Sequence, residues 1–213
     1  MKIVNALTIR SANGVCRRGT NNQSIPSTFI ESSTLFFHHL NHSYIGEMMI
    51  KQMMKFGGEF SVAGVKKTRG HEGSGFECIV LRNGKKIGEA ADYGDGGAVM
   101  FRIKDNADYQ ALLRVATEKY PDQKYERDCT FVSTMVNYYE SIKRMKTTAK
   151  TKLLCLDPEN IDQDENGIQQ SYTVFKMQDT PENRKLISDK YPTYIFLNDA
   201  INEAVLPTAK GLK

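Results

Sequence analysis

The sequence predicts an α+β protein in which a mostly antiparallel sheet of hairpin-connected strands packs with two to three helices. Three observations carry this. Asn83-Gly84 separates two strand-like runs, and Asn-Gly supplies the positive-φ pair of a type I′ turn, whose twist matches that of its flanking strands. Two later stretches, about 106–119 and 130–147, repeat apolar residues at helical spacing. The order is strands, helices, then a strand pair, helix and strand, unlike the strict alternation of a parallel βαβ sheet.

Each element has a local reason. Glu59-Phe-Ser-Val-Ala-Gly-Val65 alternates apolar with polar or small residues and predicts a strand; Lys66-Lys-Thr-Arg-Gly70 leads into a glycine-rich loop ending near Gly75. In the hairpin, a two-residue turn sets Val80 opposite Ile87, Cys78 opposite Glu89 and Phe76 opposite Ala91, so that Phe76, Val80 and Ile87 share the core face. After the Gly94-Asp-Gly-Gly97 bend, Ala98–Ile103 reads as a further strand. Asp105 or Asn106 N-caps a helix through about Lys119, with Tyr109, Leu112, Leu113, Ala116 and Tyr120 on one stripe and Pro121 beyond its end. A second helix, about Thr130–Thr147, aligns Phe131, Met135, Tyr138, Tyr139, Ile142 and Met145. Thr151–Leu156 and Ser171–Lys176 read as strands around an acidic connector, Thr180-Pro181 opens a third helix ending near Lys190, and Tyr194–Leu197 is a last strand before a polar tail.

Residues 1–55 differ from the rest. They are rich in Ser, Thr and Asn, hold His38, His39 and His42, contain no aspartate, and place apolar residues in islands such as Phe29-Ile30 and Leu35-Phe36-Phe37. The expected organisation is a poorly ordered or non-native extension over 1–55, with Met48, Met49, Met53 or Met54 as the natural start, and a single α+β domain over 56–213. The alternative packs Leu35, Phe36 and Phe37 on the core.

At 213 residues the chain can bury a core without disulfide or metal staples. Its +4 charge, from 29 basic and 25 acidic residues, is too even to mark a nucleic-acid binder without a local patch. Cys16, Cys78, Cys129 and Cys155 lack CxxC spacing, which argues against a zinc site and a secreted disulfide scaffold; no apolar run reaches the roughly 20 residues of a membrane span. The expectation is a cytoplasmic protein that binds no membrane.

Three pieces together resemble a family of uncharacterised bacteriophage and prophage proteins. They are the strand Phe60-Ser-Val-Ala-Gly-Val-Lys66, the block from Phe76 to Gly97 with its Asn-Gly-Lys-Lys turn and Gly-Asp-Gly-Gly bend, and the later run of helix, Lys152-Leu-Leu strand, Tyr172 strand, Thr180-Pro181 helix and Lys190-Tyr191. The likeness covers about 56–198. It implies an accessory protein of a phage or mobile element, working in the bacterial host cell, with no catalytic residues to carry over.

Four constellations invite chemistry. Asp162-Gln-Asp-Glu-Asn-Gly167 matches the start of a calcium loop, but its twelfth position is Thr173 instead of a bidentate glutamate, and its flanks read as strands; no metal is predicted. The turn glycines Gly94, Gly96 and Gly97, with Gly70-His-Glu-Gly-Ser-Gly75, have no phosphate-loop pattern, and no cofactor is predicted. His71, Glu72, Glu77, Cys78 and Glu89 are the nearest group of acids, base and nucleophile, without a nucleophile motif. Basic residues Lys66, Lys67 and Arg69, with His71, Arg82, Lys85, Lys86 and the ring of Tyr93, are the predicted binding residues, and Asn83 and Gly84 are structural turn residues. A further group, Lys143, Arg144, Lys146, Lys150 and Lys152, sits at a helix C-terminus, where cations complement the dipole.

The expected function is therefore non-catalytic binding to a host or phage protein. Nucleic-acid binding along the basic hairpin and edge strand is the alternative, and a small enzyme near His71 and Glu89 is the second alternative.

Overall fold

The computed structural model describes residues 6–9, 42–160, 162–169 and 171–208. Cys16, the islands Phe29-Ile30 and Leu35-Phe36-Phe37, and His38 and His39 lie outside them. The fold is α+β with two four-stranded antiparallel sheets. Contacts divide the chain into two compact units, Ile50–Thr147 with Glu203–Lys213, and Met1–Met49 with Thr148–Asn202. This division differs from the expected one, a single domain from residue 56, because each sheet gathers a core of its own.

The first unit is a meander. After the end of α1 (His42–Lys55), β2 (Phe60–Arg69), β3 (Ser74–Arg82), β4 (Lys85–Asp92) and β5 (Met100–Ile103) pair in sequence order. The helices α2 (Asn106–Lys119) and α3 (Arg127–Ala149) follow. Phe60, Val62, Phe76, Cys78, Val80 and Ala90 are buried on the helix side of the sheet. There the Phe56 ring stands 5.6 Å from Phe131 and 5.2 Å from Tyr138, and Phe60 meets Phe131 edge-on at 6.4 Å. Of the predicted α3 stripe, Phe131, Met135, Tyr138, Ile142 and Met145 are buried and Tyr139 is half-buried. Asp105 caps α2 as expected, its carboxylate accepting from the Ala107 N–H at 2.8 Å.

The Asn83-Gly84 turn forms with φ of +49° and +75°. The register beyond it differs from the expected one. Leu81 pairs with Lys86 but Val80 with Gly88, so Ile87 is the extra residue of a bulge; Cys78 faces Ala90 and Phe76 faces Asp92. Ile87 accordingly does not share the Val80 pairing, and Gly88 takes that place. A second bulge at Gly64-Val65 lets β2 continue to Arg69, so the Lys66–Arg69 segment is strand where a loop was expected.

The second unit carries the sheet β1-β7-β6-β8, from β1 (Ala6–Ile9), β6 (Leu153–Leu156), β7 (Tyr172–Phe175) and β8 (Ile195–Phe196). β6 and β7 are buried at every residue, which is why Leu-Leu-Cys-Leu is a continuous apolar run without alternation. Leu153, Cys155, Phe175 and Ile187 form its core, with Tyr191 and Tyr194 stacked at 4.9 Å beside them. Thr180 caps α4 (Pro181–Lys190), accepting from the Asn183 N–H.

Two expectations are corrected here. Part of the 1–55 segment, read as a tail, is structured: Ala6–Ile9 pairs antiparallel with β7, and Met49, Ile50 and Met53 of α1 are buried. The polar tail after Leu197 begins as the helix α5 (Asn198–Glu203), whose Asn198 is fully buried. Its side-chain oxygen accepts from the Leu154 N–H at 2.8 Å, and its amide donates to the Lys152 carbonyl at 2.9 Å. In the acidic connector, the Asp164 carboxylate accepts from the Asn166 and Ile168 N–H groups, a self-capped turn. Thr173 lies in β7.

Candidate binding surface on the meander sheet

Side chains alternate across a strand, so the face of the meander turned away from α2 and α3 is set by the register and its two bulges. Two rows cross the sheet there. Lys66, Glu77, Ala91 and Met100 stand opposite one another in the first; Ala63, Ile79, Glu89 and Arg102 form the second. Each row sets oppositely charged residues in register beside apolar ones, toward β2 in the first row and toward β5 in the second. Apart from the fully buried Ala63, the rows floor a concavity of about 390 Å³, which Tyr93 also lines. Met100 and Tyr93 are 52% and 40% exposed, large apolar surface for residues on a sheet.

The floor is close to neutral. Lys86 Nζ lies 2.8 Å from Glu89, and the Glu89 carboxyl is held below its ordinary value, first by that hydrogen bond and charge and then, after the opposing cost of burial, by Arg102 and Lys104. Its chemistry is that of a mixed surface that accepts apolar and oppositely charged groups together.

The predicted binding residues do not assemble into one basic path. Lys66 is on the floor, but strand alternation turns its neighbour Lys67 to the helix side, opposite Phe76, where it reaches Glu140 of α3 at 3.8 Å. Arg82 also points to the helix side. Its guanidinium lies 2.8 Å from Glu59 and 2.9 Å from Asp108, over the Phe60 ring; these carboxylates raise its pKa, and the guanidinium in turn holds that of Glu59 down. Arg82 is thus a clamp between β3, Glu59 and α2. Lys86 is occupied by Glu89; Lys85 and Arg69 are exposed, at opposite ends of β3. Tyr93 stands at the rim of the concavity.

His71 is in the β2–β3 loop, where its N–H donates to Asp95 at 2.8 Å, and the Glu72 N–H donates to the Gly94 carbonyl. The loop thus docks on the bend containing Gly94, Gly96 and Gly97. Glu89 is opposite Ile79, five residues along β3 from Ser74, or about 17 Å from that loop at strand spacing. Cys78 is buried on the other face, and burial pushes its thiol up to about 12, leaving it protonated at neutral pH. The acid, base and nucleophile of the enzyme alternative are therefore not brought together. Among the described residues no group of three or more His, Cys, Asp or Glu is placed to hold a metal ion, and no helix is long and apolar enough to cross a membrane.

Ile79, Met100 and Arg102 belong to the surface and were not singled out in the sequence. Their i, i+2 spacing was visible in Glu77/Ile79, Glu89/Ala91 and Met100/Arg102, but joining the three pairs into rows requires both bulges. The fold and surface together define an α+β protein with an open meander whose outer face is amphipathic. No family model, curated protein or solved structure matches this chain.

Proposed function

We propose that this chain acts by binding a protein partner, without turnover, at the outer face of the meander. The observation that carries the reading is the pair of rows, Lys66-Glu77-Ala91-Met100 and Ile79-Glu89-Arg102, with Met100 half exposed on the edge strand β5. Interfaces combine apolar side chains with polar neighbours, and methionine adapts its shape to the partner. The phage-protein resemblance frames the partner as a host or phage protein met in the bacterial cytoplasm. Pairing of Arg82, Lys86 and Lys67 with carboxylates weighs against a phosphate-tracking surface.

The test is a parallel pull-down from bacterial lysate with the wild type and Met100→Glu, an exposed substitution that leaves the core intact. Proteins retained by the wild type and lost by the variant are the expected result. Identical capture by both, or a steeply salt-dependent gel shift with DNA or RNA, overturns it.

A further inference from the structure

The two edges of the meander are guarded unequally. β2 carries Lys66, Lys67 and Arg69 and the Gly64-Val65 bulge, the usual devices that keep an edge strand from pairing with another chain. β5, Met-Phe-Arg-Ile, has no lysine, proline or bulge, and no strand pairs with its second side among the described residues. Its Met100 is 52% exposed.

Resting on the binding reading above, we propose that β5 receives an extended segment of the partner as a fifth, antiparallel strand, with an acidic residue opposite Arg102 and an apolar residue opposite Met100. The rows dictate this pattern. The second row runs Glu89, Arg102 and next an acid, continuing its charge alternation; the first runs Ala91, Met100 and next an apolar side chain. Lys104 beyond β5 adds to the preference for an acidic segment. Backbone hydrogen bonds to the open edge supply affinity and these two side chains supply choice. A second copy of this chain fits less well: antiparallel β5–β5 pairing about Phe101 sets Arg102 opposite Met100 and leaves it without an acid.

Because the added strand runs antiparallel, the acid precedes the apolar residue by two positions. The probe is a capped peptide of alternating threonines with Glu two residues ahead of Leu, titrated into the full chain while amide exchange is followed. Exchange should slow at amides of Met100–Ile103, and the peptide with Glu and Leu interchanged should bind at least about threefold more weakly. Arg102→Glu should reverse the preference in favour of Lys at the Glu position. Unchanged β5 exchange up to the solubility limit of the peptide, equal binding of both orders, or β5 protection that grows with protein concentration alone overturns strand addition. The two readings fail separately: a captured partner that perturbs Ile79 and Ala91 while β5 exchange stays fast sinks strand addition and keeps the face. Loss of neither capture nor floor perturbation in Met100→Glu sinks the face.

Discussion

Replacing Gly88 by alanine should loosen β5 from β4 more than any turn glycine of the same hairpin. A Cβ on Gly88 would stand 2.4 Å from the Arg102 carbonyl oxygen and 2.7 Å from the Ile103 Cα, both backbone atoms of the neighbouring strand. Ordinary contact needs about 3.5 Å, so β5 must retreat by about 1 Å. That movement strains or breaks the ladder Gly88↔Ile103 to Ala91↔Met100, whose hydrogen bonds contribute about 0.5–1.5 kcal/mol each; with two bonds lost the cost is about 1–3 kcal/mol, in line with overpacking elsewhere. At a urea dependence of about 2 kcal/mol per molar, the midpoint falls by about 1 M. Gly84→Ala is the control. Gly84 has φ +75° but nothing within 4 Å of its added Cβ, so only the left-handed strain of about 1–2 kcal/mol applies. Amide exchange separates the two: protection at Met100–Ile103 disappears in Gly88→Ala and persists in Gly84→Ala. If Gly88→Ala keeps both its midpoint and that protection, the tight β4–β5 approach, and the rows built on it, are refuted.

Three other outcomes follow from the same geometry. Asn198→Ala should destabilise the protein by about 2–4 kcal/mol in urea titration, because the Leu154 N–H and Lys152 carbonyl lose their buried partner; an unchanged midpoint refutes the clamp. Arg184 grips Asp199 through two 2.8 Å contacts and holds its carboxyl below the ordinary value of about 3.9, so the stabilisation is present above that value and is lost as pH falls through the lower folded pKa. Since the Asp199 side chain is 67% exposed the effect stays under about 1 kcal/mol, and Asp199→Asn should flatten the acid limb of stability by that much while a steeper limb contradicts the assignment. Burial pushes Cys78 and Cys155 up to about 12 and half-buried Cys129 to about 11, so alkylation of the native protein, mapped by mass spectrometry, should label Cys129 ahead of Cys78 and Cys155; Cys78 reacting ahead of Cys129 would reopen the enzyme alternative.

What the sequence determined by itself was local. The Asn83-Gly84 turn, the Asp105 and Thr180 caps and the stripes of α2 and α3 all depend on residues a few positions apart, where turn chemistry and helical spacing act without the rest of the chain. Tertiary structure decided what depends on distant partners. Ala6–Ile9 becomes a strand only because β7, more than 160 residues away, offers an edge, and Asn198 is buried only because β6 needs its amide. The outer face of the meander belongs to this second class. A bulge shifts register by one residue, and with a side-chain period of two that shift chooses which face of the sheet Lys66 and Lys67 each take and which of Ile87 and Gly88 pairs with Val80. Charge clusters adjacent in sequence are therefore divided between faces, while Glu77, Ala91 and Met100, far apart in the chain, become neighbours.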